Sequence, residues 1–324
     1  VIIATNIAQT SITIDDIDAV VDSGLERRIE VHHGVEGLYL RPISRADSAQ
    51  RKGRAGRTRV GVYIDHASEA VRNDFPTAEI LRVRLDQAVL RLAMASVDLE
   101  ELELFHQPER SEISHAKATL RALGCLTDGV KVTEMGARVS RLPCGVRAGR
   151  MLVEAERLGV VEQVTTIAAI LESGGIVDTQ ATDERGRPVW RHMFATDPAS
   201  DHVTMLRIYE AAVQIDESRW SYYGLQAKSL TEARAMRHEL SEAVHRVLDT
   251  KRRNKSRDLI GRAVAAGLID QLRRRGINHW GEYTYGGDER RLPRESAIDA
   301  SNHRFVVSEP FDIQGQKGPA KLLR

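Results

Sequence analysis

The spacing of apolar residues changes character near residue 70, and this change limits the possible folds more than any other feature. Before it, apolar residues come in short runs: Val1-Ile2-Ile3-Ala4, Ile17 to Val21 and Val60 to Ile64. Such runs are typical of strands buried on both faces of a parallel sheet. Between them, Arg28 to Val31 and Leu38 to Arg41 flank His32-His33-Gly34, which predicts a β-hairpin with a short loop. Beyond residue 70 the period is helical. Leu81, Leu85, Ala88, Val89 and Leu92 share one helix face, and Ile113, Ala116, Leu120 and Leu123 share another. Ser111 is placed to cap the second helix and Gly124 to end it.

Asp128-Gly129 then lies between short β-like segments ahead of Pro143. Helices followed by a small β-wing are the pattern of a winged-helix module. Residues 146 to 250 read as mainly helical, with stripes at Met151, Leu152, Ala155 and Leu158, at Val164, Ile167, Ala168 and Leu171, and from Leu230 through Ala233, Met236, Leu240 and Val244 to Val247. A polar stretch from Gly174 to Pro198 interrupts them. Beyond about residue 276 the chain is β-like again, around Tyr283, Tyr285 and Arg304 to Val307, and Leu322-Leu323-Arg324 carries no clear terminal element.

With 324 residues the chain can hold two or more domains. A net charge of +1 means that any polyanion-binding surface has to be local. Two basic clusters, 251–257 and Arg273-Arg274-Arg275, are candidates for lining a nucleic-acid channel, or are simply solvated faces. Cys125 and Cys144 form no CxxC pair, so neither a zinc motif nor a disulfide framework is expected, and both read as reduced and structural. Neither His32 nor His33 has a partner at metal-ligand spacing; both read as exposed loop residues, and no protein metal site is expected. No apolar run reaches the roughly 20 residues of a membrane helix. The expected compartment is the cytoplasm. A chain that opens on Val1 in mid-strand is expected to be a piece of a longer one.

Two segments carry chemistry. Gln50-Arg51-Lys52-Gly53-Arg54-Ala55-Gly56-Arg57 sets two arginines three residues apart among small glycines. If it opens a helix, Arg54 and Arg57 share a face, and two guanidinium forks suit a polyphosphate. Gln50, which both donates and accepts, can orient a water. The plain alternative is a solvated, basic helix start. In Ala4 to Asp15 an apolar run leads into Thr5, Asn6, Thr10, Ser11 and Thr13, types suited to phosphate or sugar at the carboxyl end of a strand. Its alternative is a helix cap followed by a polar loop.

Taken together and in this order, the segments resemble motifs V (Ala4 to Ile14) and VI (Gln50 to Arg57) of the DEAH-box superfamily 2 RNA helicases, of bacterial type. The resemblance implies the C-terminal part of such an enzyme, from motif V onward. It implies a multidomain fold: part of a second RecA-like α/β lobe at 1–69, a winged helix at 70–143, a helical ratchet (helicase-associated) domain at 144–255, and the start of an OB-like β-domain at 256–324. By the same resemblance Arg54 and Arg57 are arginine fingers for the ATP γ-phosphate and Gln50 contacts that phosphate or the attacking water. Gly53 and Asp15 join the nucleotide site, with Asp15 reaching the ribose. Thr5, Asn6 and Thr10 contact the nucleic-acid backbone, and the hairpin at His32-His33 is a strand-separating wedge. The sequence departs from motif V at Gln9, where Glu is usual.

The implied cofactor is ATP with Mg²⁺, whose ligands lie outside this stretch. The implied partners are RNA before DNA, and an activating protein at the OB-like domain, with the chain acting as a monomer away from membranes. No G-x-x-x-x-G-K-[ST] loop and no Asp-Glu-x-His box occur in these residues, so the chain alone is expected to be inactive as an ATPase. The alternative function is a non-catalytic nucleic-acid-binding or scaffold module derived from a helicase.

Overall fold

A computed structural model describes residues 1–4, 9, 17–32, 34–56, 60–67, 71–276, 281–315 and 318–323. The chain divides into two compact units. The first comprises Val1–Arg84, Glu103–Glu109 and Phe311–Ala320, and the second Leu85–Leu102, Arg110–Pro310 and Lys321–Arg324.

In the first unit β1 (Ala19–Asp22) runs into the long hairpin of β2 (Leu25–His32) and β3 (Val35–Pro42), paired from Leu25↔Pro42 to His32↔Val35. The hairpin expected from the sequence is therefore present, and longer than the two stretches Arg28 to Val31 and Leu38 to Arg41. His32 is the last residue of β2 rather than a loop residue. Its Nε2 lies 3.1 Å from Glu30 and its ring meets Tyr39 edge-on. His33 lies outside the described residues. Gly24 makes the tight corner before β2 at φ +68, where a Cβ would clash with the Arg72 side chain. Residues Phe311–Ile313 add a parallel strand alongside Glu36–Leu38.

After the hairpin comes α1 (Arg45–Lys52), fixed at its start by a capping box: Ser44 accepts from the Asp47 amide, and Asp47 accepts from the Ser44 amide. Gly53 ends it, and Arg51 and Lys52 in the last turn suit the negative end of the helix dipole. Then β4 (Val62–Asp65) pairs in parallel with β1, Ala19↔Val62 through Asp22↔Asp65.

Two sequence expectations fail here. Val1 to Ala4 is not a buried strand but irregular, exposed backbone, with Val1 and Ile3 almost fully open to solvent. A β-branched run becomes a strand only where a neighbour supplies the ladder, and β1 and β4 supply it to each other. The described part of the motif, Gln50 to Gly56, also does not meet the condition of opening a helix. It closes one, so Arg54 follows the helix instead of sharing a face within it.

The second unit is mainly helical. It contains α2 (Asp86–Met94), α3 (Arg110–Ala122), α4 (Glu134–Val139), α5 (Val146–Leu158), α6 (Val161–Glu172), the short α7 (Trp190–Met193), α8 (Asp201–Ala212), α9 (Ala227–Val247) and α10 (Arg257–Gly267). Since α3 begins at Arg110, Ser111 sits inside the first turn and is not the cap. Gly124 does close that helix, at φ +73. Only an isolated bridge, Leu126↔Val132, flanks Asp128-Gly129.

The stripes read from the sequence face inward: Met151, Leu152, Ala155, Val164, Ile167, Ala168, Leu230, Ala233 and Leu240 are all buried. The polar 174–198 stretch contributes as well, because Trp190 is fully enclosed in a core with Ile208, Trp220, Leu225 and Leu230. Trp220 donates its ring N–H to the Ala212 carbonyl at 3.1 Å, so this bulky side chain is buried without stranding its polar atom.

The rest of this unit is a small sheet. Its strands are β5 (Leu272–Arg275), β6 (Glu282–Tyr285), β7 (Asp288–Arg291) and β8 (Phe305–Val307); β9 (Pro310–Gly315) and β10 (Gly318–Leu323) follow, of which Phe311–Ala320 belongs to the first unit and Lys321–Leu323 to this one. β6 pairs antiparallel with both β5 and β7, β8 pairs with β5, and Leu322 of β10 lies beside Arg291 of β7. The chain end, read as featureless, is thus a strand, with Leu323 packed beside Tyr283 and Val306. Arg273 is not a channel-facing cation. It is buried and pairs with Asp288 at 3.2 Å. Arg275 donates to the Ala300 and Ser301 carbonyls, both at 2.7 Å.

Among the described residues no helix is long and apolar enough to cross a membrane, and no group of three His, Cys, Asp or Glu could hold a metal ion.

Candidate functional site

The chemistry-bearing residues of the first unit gather around one side chain, Gln9. Its amide nitrogen donates to Asp47 Oδ1 at 2.6 Å and to Gln50 Oε1 at 3.0 Å, and its amide oxygen accepts from Arg51 Nε at 3.0 Å. Arg54 donates from Nε and Nη2 to the Gln9 main-chain carbonyl, the former at 2.9 Å. One residue therefore engages four positions of the α1 segment, about forty residues away in sequence.

The departure at Gln9 has a physical reason in these contacts. Asp47 is held as a carboxylate. Burial pushes its pKa up, but hydrogen bonds from Ser44 and Gln9 and the nearby Arg51 charge together bring it below the ordinary value. A carboxylate at position 9 would meet that charge at hydrogen-bond distance, whereas an amide has two N–H groups and can satisfy both Asp47 and Gln50.

Arg51 carries the network into the sheet. Its Nη1 donates to Asp22 Oδ1 at 2.8 Å, and Tyr63 donates to Asp22 Oδ2 at 2.8 Å. Asp22 is buried, which pushes its pKa up, but the Gly24 amide, Tyr63 and Arg51 together hold it below the ordinary value. Tyr63 also lies 3.0 Å from Ser48 Oγ, and Arg72 bridges Ser48 and Asp65 at 3.2 and 2.6 Å. The end of α1 is thus fixed to β1 and β4 by charge-assisted hydrogen bonds, the strong kind.

Of the residues expected from the sequence, Gln50, Gly53 and Arg54 lie together at the end of α1. Gln50 and Gly53 are exposed and Arg54 is half-buried. Thr5, Asn6, Thr10, Asp15 and Arg57 lie outside the described residues. Sequence reasoning missed Arg51, Asp22, Asp47 and Tyr63 as members of the site. The Ser44-x-x-Asp47 capping signature was the one local signal available, since the other contacts join distant positions.

The hairpin has a separate charge network. Glu30 accepts from Arg28 at 2.8 Å, from Arg41 at 2.7 Å and lies against His32. Burial pushes its pKa up, but Arg41, Arg28 and His32 overcome that and hold it at about 2. The Glu30–Arg41 pair ties β2 to β3 across the hairpin.

No protein-family profile matches the chain. It is 32% identical over 296 residues, 87% of its length, to the pre-mRNA-splicing factor ATP-dependent RNA helicase prp22 of Schizosaccharomyces pombe. It spans 25% of that protein. Its fold is like that of the DExH-box NTPase HrpB of E. coli, with a TM-score of 0.69 and 24% identity, covering 98% of this chain and 34% of HrpB. By sequence the chain is homologous to a DEAH-box RNA helicase, over a quarter of that protein's length.

Proposed function

We propose that the chain is the arginine-bearing and nucleic-acid-gripping part of an ATP-dependent helicase that translocates on or unwinds RNA, in preference to DNA. In this reading residues 1–69 belong to the second RecA-like lobe, 70–143 to a winged helix, 144–255 to a helical ratchet domain and 256–324 to the start of an OB-like domain. Arg54 and Arg57 stabilise charge developing on the ATP γ-phosphate, and Gln50 orients the phosphate or the attacking water. Gly53 and Asp15 complete this side of the nucleotide site. Thr5, Asn6 and Thr10 hold the nucleic-acid backbone.

The observation that supports this most is the bonding of Gln9 to Asp47, Gln50, Arg51 and Arg54. It ties the segment that carries the nucleic-acid candidates to the segment that carries the phosphate candidates. A shift in the grip on a strand then moves Gln50 and Arg54. The residues present fit the phosphate end of ATP: Gln50 is open to solvent and Arg54 lies beside it, half-exposed. ATP would supply the phosphoanhydride to be cleaved, and its Mg²⁺ ligands are assigned to a part of the protein outside these residues.

The test joins the chain to a partner lobe bearing the phosphate-binding loop and acidic box, and measures RNA-stimulated ATP hydrolysis. Arg54→Ala should lower turnover by about 10³-fold or more with little change in RNA affinity, as loss of an arginine finger does. Unchanged turnover would refute the assignment.

A further inference from the structure

In the second unit, the basic 251–257 segment turns inward onto a concavity. A cavity of about 440 Å³ is bounded by the α5–α6 corner, α8 and the segment entering α10. Five cationic side chains line it, Arg207, Arg252, Arg253, Lys255 and Arg257, against two carboxylates, Glu162 and Glu210. Glu162 is already engaged by Arg237 at 3.6 Å and His245 at 3.8 Å. The excess of positive charge is therefore concentrated on one concave surface of a chain that is nearly neutral as a whole.

The cations form two sets. Arg207 and Arg257 are held by Asp197, at 3.3 and 2.8 Å, and that carboxylate is almost fully buried. Arg252 lies across Gly159 and donates to the Arg157 carbonyl at 2.9 Å; a Cβ on Gly159 would meet the Arg252 Cγ at 2.7 Å. The Asn254 amide donates to the Gly159 carbonyl, so the segment is fixed to the α5–α6 corner. These contacts orient the backbone between the two sets. Arg253 and Lys255, in contrast, are exposed on the cavity lining with no carboxylate or carbonyl partner among the described residues. Two helices also begin at this surface, α6 at Val161 and α10 at Arg257, neither with a capping side chain, and their first-turn amides add to the positive potential.

We propose that this cavity is a binding site for adjacent phosphate groups of a nucleic-acid strand, with Arg253 and Lys255 as the contacting residues and Arg207, Arg252 and Arg257 as the pre-positioned wall. Among the described residues no aromatic side chain lines the cavity, so bases are not stacked there and the contact is independent of sequence. Guanidinium and ammonium groups held in a fixed concavity suit successive phosphodiesters better than they suit a flexible acidic peptide, whose carboxylates have no fixed spacing. The inference rests on the nucleic-acid reading above and adds a second anchoring point to it, in the other compact unit.

The test uses the intact 324-residue chain and a fluorescent 12-nucleotide oligouridylate, with affinity measured by anisotropy across a salt series. Arg253→Ala/Lys255→Ala should weaken binding about tenfold near 0.1 M salt. It should also flatten the log–log salt slope by about 1.4, the share of two phosphate contacts on a single strand. Thermal unfolding should not change, because neither side chain has a structural partner among the described residues; the single variant Lys255→Gln gives the same reading at half the slope change. Unchanged affinity and slope in a chain that binds the oligonucleotide would overturn this site and leave the helicase reading intact. Failure of the unmodified chain to bind would overturn both. Inorganic tripolyphosphate or polyglutamate binding that depends on Arg253 and Lys255, with oligouridylate binding indifferent to them, would show that the cavity takes a free polyanion or an acidic segment and would also overturn the proposal.

Discussion

Two basic runs, Gln50 to Arg54 and Lys251 to Arg257, look alike in sequence and differ in structure. In the first, both described arginines are committed. Arg51 is held by Gln9 and Asp22, and Arg54 by the Gln9 backbone. In the second, commitment alternates: Arg252 and Arg257 are tied to a carbonyl and a buried carboxylate, while Arg253 and Lys255 face a cavity without partners among the described residues. The first arrangement transmits position, because moving one member moves the others. The second presents charge, because its free members lose no native contact when they meet a ligand. What separates the two is the set of acceptors each cation meets, and those acceptors come from distant parts of the chain.

Committed and uncommitted cations should differ most in stability. The extreme committed case is Arg147 in α5, buried against Asp270 at 2.6 Å, Glu309 at 2.8 Å and the Gly267 carbonyl at 3.0 Å. Arg147→Ala strands two carboxylates and should cost about 3–5 kcal/mol in urea denaturation. A loss below about 1 kcal/mol would show that the cluster is solvated and that commitment is the wrong criterion.

The hairpin offers the pH counterpart. Glu30 has a folded pKa of about 2, below its ordinary 4.5, so its contribution is fully present above about pH 4.5 and disappears as pH falls toward 2. Glu30→Gln should remove that part of the acid dependence, measured by thermal unfolding between pH 2 and 6. An unchanged profile would mean that Arg28 and Arg41 do not hold the carboxylate. The smallest effect belongs to the uncommitted set: Lys255→Ala should change stability by no more than about 0.5 kcal/mol. A larger loss would reveal a structural partner and weaken the binding role of the cavity.

Much of the fold was legible in the sequence because it is periodic. The β-like stretches flanking His32-His33-Gly34 marked the hairpin, and the stripes from Met151 to Val247 marked the helices and their inward faces. The misses share a cause, dependence on non-local pairing. Val1 to Ala4 has strand composition but no ladder. Leu322-Leu323-Arg324 looked featureless, yet Leu322 pairs with Arg291 in the sheet. Arg273 reads as a surface cation until Asp288, fifteen residues on, lets it be buried. The candidate site was half legible. Gln50 and Arg54 stood out as a pair of chemistry-bearing residues, but nothing local announces that Asp22, Tyr63 and Arg51 fix them, or that Gln9 is bonded on all sides. Read alone, Gln9 looked like a lost charge. Beside Asp47 it is the side chain the contacts require.

The most direct test of the account is a double-mutant cycle between Gln9 and Arg51, which are 42 residues apart. Stability should be measured for Gln9→Ala, Arg51→Ala and the pair. If the two segments form one unit through these side chains, the cycle should show a coupling energy of about 0.5–1.5 kcal/mol, the net worth of a typical intramolecular hydrogen bond. Strict additivity would mean that the segments are independent, and the proposed link between strand grip and phosphate site would fall with it.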